Sequence, residues 1–137
     1  MSTPIQIHRD EYGIPHIEAV SENDVWFAMG HTSAEDRLWQ MEWYRRRGTG
    51  RWSEIVGASG LDADKLFRRF GLDTASQNDA KELSSDTLDM FQSYTDGVND
   101  YIQNHELPPE YSLTDTAWEK WEIWHSILVF KVRHVIM

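Results

Sequence analysis

Several residues in this chain have types and spacings that could do chemistry. His31 and Glu35 stand four apart on one face of a helical stretch, the separation at which two side chains can share a metal ion. No HExxH motif accompanies them, and His8, His16, His105, His125 and His134 lack ligand spacing, so no metal site is read in this chain. Gly48, Gly50 and Gly57 in GTGRWSEIVG have the outline of a phosphate cradle. The run lacks the lysine such a loop needs and follows a helix instead of a strand, which makes a helix stop and a turn the better reading. If Met1 were removed, Ser2 would be an N-terminal serine whose α-amine can act as base for its own hydroxyl. Most chains beginning Met-Ser make no such use of it. With no cysteine, thiol nucleophiles, thiolate metal sites and disulfides are all excluded.

Arg45, Arg46, Arg47, Arg51, Arg68 and Arg69 could form a basic patch, but the formal net charge is −10. A nucleic-acid binder needs a net basic face, so that class is excluded. Arginines at a helix C-terminus are favoured by the dipole and pair with nearby acids, which predicts a structural ion-pair network. Asp36 and Arg37, set between Ala34 and Leu38, are expected to be partly buried and paired within it.

The elements that must position these residues follow from periodicity. At 137 residues the chain suits one unit, 1–137, with a core of its own. Ile5 and Ile7 alternate with polar residues from Pro4 to Arg9, Asp10, Gly13 and Pro15 mark a turn, and Ile14, Ile17 and Val20 resume, which predicts a hairpin. Ser21 and Asp24 form a capping-box pattern for a helix, Gly30 is a point of interruption, and Thr32 with Glu35 offers a second start for Ala34 to Arg47. Short helices are predicted at Asp62–Phe70 and Thr74–Leu83. A clear one runs from Asp86 to Gln103, where Leu88, Phe91, Tyr94, Val98, Tyr101 and Ile102 recur at spacings of three and four, with Gly97 its weak point. Leu107 to Glu110 reads as an extended loop, and a last helix begins near Trp118.

Seven tryptophans exceed what so short a chain ordinarily carries, so part of their cover is expected from another chain. The last helix closes on Val135, Ile136 and Met137 without a glycine or asparagine cap, which predicts an end packed against something outside the sequence. MSTPIQIHRDE has neither a basic nor an apolar export region, and the longest apolar run is Ile127 to Phe130, so no membrane association is expected.

The segment IHRDEYGIPHIEAVSENDVWFAMGHTSAEDRLWQMEWYRRRGTGRWSEIVG, with LDADKLFRRFGL, LDMFQSYTDGVNDYI and LPPEY, resembles the α chain of the penicillin acylase (penicillin amidase) family of N-terminal nucleophile hydrolases. The resemblance is carried most by Arg9-Asp10 with Gly13-x-Pro15-His16-Ile17, by Asp36-Arg37-Leu38-Trp39-Gln40-Met41 followed by Arg45-Arg46 and Gly50-Arg51, and by Gly97-Val98-Asn99. It implies an α+β fold: a mainly helical subunit with an N-terminal β-hairpin, part of a four-layer αββα sandwich completed by a β chain cut from the same precursor. The two chains form an obligate heterodimer. The nucleophile is then the first serine of that β chain, and no catalytic residue lies in this chain. The implied substrate is a small N-acyl compound: a β-lactam, an N-acyl amino acid or an acyl-homoserine lactone. No cofactor is implied beyond a Ca2+ ion that some relatives bind mainly through the β chain.

In family members a methionine, an arginine and a phenylalanine on the last helix line the acyl pocket. Setting the register from Trp121-Glu122 places the methionine position at His134 and the arginine position at Met137, so the chain departs from that pattern at both. Phe130, Arg133, His134 and Met137 are the candidate lining residues, the alternative for each being a place on a packed interface helix. Met1-Ser2-Thr3 reads as a natural start and leads to a cytoplasmic expectation, the other case being a periplasmic protein with its signal removed. A second reading of the whole chain is a non-catalytic helical module that binds a partner through its tryptophan-rich face.

Overall fold

A computed structural model describes residues 5–137, so Ser2 lies outside the described residues. The elements are β1 (Gln6–Arg9), β2 (Pro15–Glu18), α1 (Glu22–Gly48), α2 (Ser53–Val56), a 3-10 turn (Gly57–Gly60), α3 (Leu61–Phe70), α4 (Leu72–Lys81), α5 (Ser85–Asn104), α6 (Pro109–Leu113) and α7 (Ile123–Ile136). A mainly helical chain with a two-stranded N-terminal hairpin is the α+β architecture expected. It divides into two compact units, one made of the residues through Asp36 with Ser84–Glu106, the other of Arg37–Leu83 with Leu107–Met137.

In the first unit β1 and β2 pair antiparallel with Ile7 opposite Ile17 and His8 opposite His16. The turn between them is built on Asp10, whose carboxylate accepts the backbone N–H groups of Tyr12 and Ile14, both at 2.9 Å, while Gly13 takes the left-handed φ of +76°. Hydrogen bonding to the His16 ring, then to Ile14, holds the Asp10 carboxyl below its ordinary pKa. Arg9 donates to the Gly13 carbonyl at 2.8 Å and forks onto Glu35 and Asp36 of α1. The residues that carry the hairpin part of the family resemblance are thus the parts of one clasp. Arg9 is also the sole lysine or arginine of this acid-rich unit.

Ser21 caps α1 as predicted, its hydroxyl accepting from the N–H of Asp24 at 3.1 Å. Gly30, however, does not interrupt the helix, which runs unbroken to Gly48. The reason is packing: a Cβ at Gly30 would lie 2.0 Å from the Tyr94 carbonyl oxygen, and one at Gly97 of α5 would lie 1.9 Å from the Phe27 carbonyl oxygen. The two glycines let α1 and α5 touch backbone to backbone, so Gly97 is a contact point and not a weakness. Thr32, instead of opening a second helix, donates its hydroxyl to the Ala28 carbonyl at 2.9 Å. Ala28, Ala34, Val98 and Ile102 complete the buried interior of this unit.

In the second unit α1 ends at Gly48, and Gly50, with φ of +63°, turns the chain. The buried Asp64 carboxylate accepts the N–H groups of Trp52 and Ser53, both at 2.8 Å, satisfying the orphan donors at the start of α2. Phe67, Leu128 and Val132 form the apolar centre, with Tyr44, Leu72 and Trp124 packed on it. Helix α6 occupies part of what reads as an extended loop, because Pro109 sits at its first turn, where a missing N–H costs nothing. Helix α7 starts at Ile123, later than the expected Trp118, because Glu122 is its cap.

The tryptophans find part of their cover within the chain: Trp121 is buried, Trp26, Trp39, Trp43, Trp52 and Trp124 are half-buried, and Trp118 is exposed. Arg47 lies over the Trp43 ring at 4.9 Å and the Phe67 ring at 5.6 Å, so part of the indole surface covers a cation.

Replacing Gly97 by alanine forces a methyl into a backbone carbonyl that has nowhere to go. The helix-propensity gain of about 1 kcal/mol is smaller than the overpacking cost of about 1–3 kcal/mol or more. Urea denaturation of the protein carrying this chain is expected to show Gly97→Ala destabilised, although the same change in an isolated α5 peptide raises helicity.

Candidate functional site

The four expected lining residues all sit on α7 or directly after it, and what holds α7 is the central feature of the second unit. Glu42, 2% exposed, is hydrogen-bonded by Arg45 and Arg46, both also buried. A carboxylate removed from water is tolerable only when paired on this scale. Arg45 further donates to the carbonyl of Glu119 at 3.0 Å and of Lys120 at 3.3 Å, binding the segment just before α7 to the last turns of α1. Arg46 reaches Glu54. Arg51 spans Glu54 and Glu119, with Arg51 Nη2 2.7 Å from the Glu119 carboxylate. Hydrogen bonding from Arg51 lowers the Glu119 carboxyl to a pKa of about 2, and the same carboxylate raises that of Arg51.

The predicted ion-pair network therefore exists around Arg45, Arg46 and Arg51, with corrections to its membership: Arg47 lies over aromatic rings, and Arg68 donates to the Gly50 carbonyl at 2.9 Å. Asp36 and Arg37 are exposed, and Asp36 serves the Arg9 clasp. The buried charges lie one and two turns further along, at Glu42, Arg45 and Arg46.

Helix α7 is started by a reciprocal cap. The Glu122 side chain accepts the N–H of His125, and the His125 ring accepts the N–H of Glu122 at Nδ1, 2.9 Å away. That geometry requires an unprotonated Nδ1. Burial, reinforced by the nearby Arg45 charge, depresses the His125 pKa to about 3, so the ring is held neutral. Trp121 Nε1 donates to the Ser126 hydroxyl at 3.1 Å, and Lys131 pairs with Asp79 of α4 at 2.8 Å.

With α7 so fixed, Leu128 and Val132 point into the core, fully buried. Phe130, Arg133, His134 and Met137, three and four residues apart, occupy the other side and line one depression of about 380 Å³. Phe130 is 64% and Met137 92% exposed, an apolar display that a buried helix would not make. His134 Nδ1 lies 2.9 Å from the Phe130 carbonyl. A carbonyl only accepts, so Nδ1 carries a proton in this contact and Nε2 is the ring nitrogen left free of it. The ring also stacks at a tilt on Phe130, with centroids 4.4 Å apart.

The other sequence candidates are placed apart from this face. His31 packs edge-on to the rings of Tyr101 and His105 and lies 3.6 Å from Asp100, while Glu35 is engaged by Arg9, so the two do not converge on a common point. Among the described residues no group of three His, Asp or Glu side chains is arranged to hold a metal. No helix among the described residues is long and apolar enough to cross a membrane. Gly48, Gly50 and Gly57 end α1 and turn the chain, forming no cradle. Sequence reasoning missed Glu42, Glu119 and His125 as the residues that seat α7. The available signals were Glu42 lying in phase with Leu38, Met41, Arg45 and Arg46, and a histidine three residues after Glu122.

The fold is a two-stranded hairpin followed by helices, with a long first helix. The chain superimposes on the thermostable penicillin G acylase from Alcaligenes faecalis with a TM-score of 0.84 and 27% identity, covering 95% of this chain and 71% of that one. The penicillin amidase family model matches residues 4–135. This chain belongs to the penicillin amidase family. Its curated relatives include the penicillin acylase 2 proenzyme of Pseudomonas sp. (strain SE83), 41% identical over 100% of this chain and 18% of the relative. The penicillin G acylase of Escherichia coli is 34% identical over 89% of this chain and 16% of its own length. The acyl-homoserine lactone acylase QuiP of Pseudomonas aeruginosa is 33% identical, over 92% and 15%. The chain thus spans less than a fifth of these curated relatives.

The His125 cap makes stability pH-dependent in a defined window. The unfolded imidazole takes up a proton near pH 6.5, the folded one only near 3, so between these values the unfolded state binds more protons. Stability is therefore expected to fall as pH drops from about 6.5, by up to ~1.4 kcal/mol per pH unit. Glu119 contributes in the same direction only below about 4.5. Urea midpoints between pH 6.5 and 5 isolate the His125 part; a flat profile there contradicts a buried neutral ring.

Proposed function

We propose that this chain is the α chain of an N-terminal nucleophile amidohydrolase that removes an acyl group from an amide. In this reading a companion chain of the same precursor supplies the nucleophile. Its N-terminal serine hydroxyl attacks the acyl carbon while its own α-amine takes the hydroxyl proton. Backbone or side-chain donors of that companion stabilise the tetrahedral oxyanion. The amine leaves with a proton, and water then attacks the acyl-serine, releasing the acid and restoring the serine.

The observation that carries the reading is one of proportion. A span that is 16–18% of the penicillin acylase relatives is 71% of a separate polypeptide in the solved penicillin G acylase. A relative of this chain therefore occurs as a polypeptide of its own, much shorter than those curated relatives.

In this reading the contribution of the α chain to chemistry is the acyl pocket. Phe130 offers an aromatic wall, Met137 an adaptable apolar one, His134 a polar ring nitrogen, and Arg133 a cation at the edge. The substrate is accordingly an N-acyl compound of the kind handled by penicillin acylases and acyl-homoserine lactone acylases, and the identity of these four side chains sets acyl preference.

His134→Ala in the two-chain enzyme tests this. Because His134 is exposed and bonds only within its own helix, truncation is expected to leave the melting temperature nearly unchanged. The ratio of kcat/KM values across phenylacetyl, glutaryl, acetyl and octanoyl p-nitroanilides is expected to shift by about tenfold. Equal loss on every substrate together with a lowered melting temperature shows His134 to be packing alone and removes the support for the pocket.

A further inference from the structure

Gly48 is the last residue of α1, and its backbone is ordinary: among the glycines, Gly13, Gly50, Gly57 and Gly71 have positive φ, and Gly48 does not. Nothing in its own conformation calls for glycine. What forbids a side chain is α7. A Cβ built on Gly48 lies 2.6 Å from Val132 Cγ2 and 2.8 Å from both Cγ and Cδ1 of Leu128. Leu128 and Val132 are fully buried, and the branch points involved are close to the α7 backbone, so neither side chain can swing aside.

The direction of that contact matters more than its tightness. At 100° per residue, Leu128 and Val132 lie on one side of α7, whereas Phe130, Arg133, His134 and Met137 centre roughly 170° away. The axis from Gly48 through α7 therefore points at the lining face. Ordinary carbon–carbon contact is about 3.5–4.0 Å, so any side chain at position 48 drives α7 outward by roughly an ångström along that axis.

We infer that Gly48 is a positioning residue that sets the depth at which α7 docks, and with it how far the lining side chains reach into the acyl pocket. The inference rests on assigning that face to the acyl site. It makes Gly48 a determinant of acyl size: a larger residue advances the lining face and narrows the pocket, so bulky acyl groups lose more than small ones. The Glu42 network fixes where α7 begins; Gly48 fixes how close it lies.

The test is Gly48→Ala in the two-chain enzyme, alone and combined with Val132→Ala or Leu128→Ala, which remove the opposing methyls. The readout is the ratio of kcat/KM for octanoyl over acetyl p-nitroanilide, with melting temperatures alongside. Gly48→Ala is expected to lower that ratio on the order of tenfold, within the range an ångström of misplacement produces. Each double variant is expected to bring the ratio back toward its original value, and Val132→Ala alone to lower the melting temperature with the ratio held. Uniform loss on both substrates, or double variants that fail to restore the ratio, overturns the inference. Should Gly48→Ala yield no folded enzyme, recovery of folding and of the original ratio in the double variants sustains the inference, and failure of both double variants overturns it. His134→Ala separates the two levels: if it alters acyl preference and Gly48→Ala does not, only the depth-setting role falls. If neither alters it, the acyl-pocket assignment falls too.

Discussion

The second unit depends on one buried carboxylate. Glu42 has no water to stabilise its charge, so Arg45 and Arg46 must be where they are. Arg45 also donates to the carbonyls before α7, Arg46 pairs with Glu54, and Arg51 closes the circuit between Glu54 and Glu119. An apolar contact tolerates sliding; a desolvated charge does not. The start of α7 is consequently pinned to the end of α1 by directional bonds as well as by its apolar side.

Much of this architecture was legible from residue pattern. The hairpin followed from alternation around Asp10 and Gly13, and α5 from its three-and-four apolar spacing, because both patterns report which side is buried. The same logic failed at Gly30, where a local rule about glycine in helices met a tertiary contact: the missing side chain makes room for a carbonyl of α5 instead of breaking α1. It failed again at the start of α7, where Trp118 and Trp121 look helical by composition, yet the Glu122 and His125 cap decides the boundary. Capping by a histidine ring is a matter of protonation and burial, and neither is written in a periodicity.

The candidate site divides along the same line. Phe130, Arg133, His134 and Met137 were found by register with a known family, and the structure sets all four around one depression. The residues that hold them there were not found, because their types are ordinary. Glu42 reads as one more surface acid, and Gly48 as a helix stop. Only the coordinates show the first desolvated between two arginines and the second pressed against Leu128 and Val132. Positioning by exclusion leaves little trace in a single sequence, since the informative feature is an absent side chain.

The clasp at Arg9 has a different implication. The unit it belongs to contains a single lysine or arginine, already spent on Glu35 and Asp36; Asp10 and Asp100 lie beside the rings of His16 and His31, and the remaining carboxylates have no lysine or arginine of the unit to pair with. Mobile counter-ions are what relieve their mutual repulsion, and at physiological ionic strength they act over about 8 Å. Salt therefore eases the mutual repulsion of those carboxylates while weakening the exposed ion pairs of Arg9 and Arg51, so the first unit answers one electrolyte in two opposed ways.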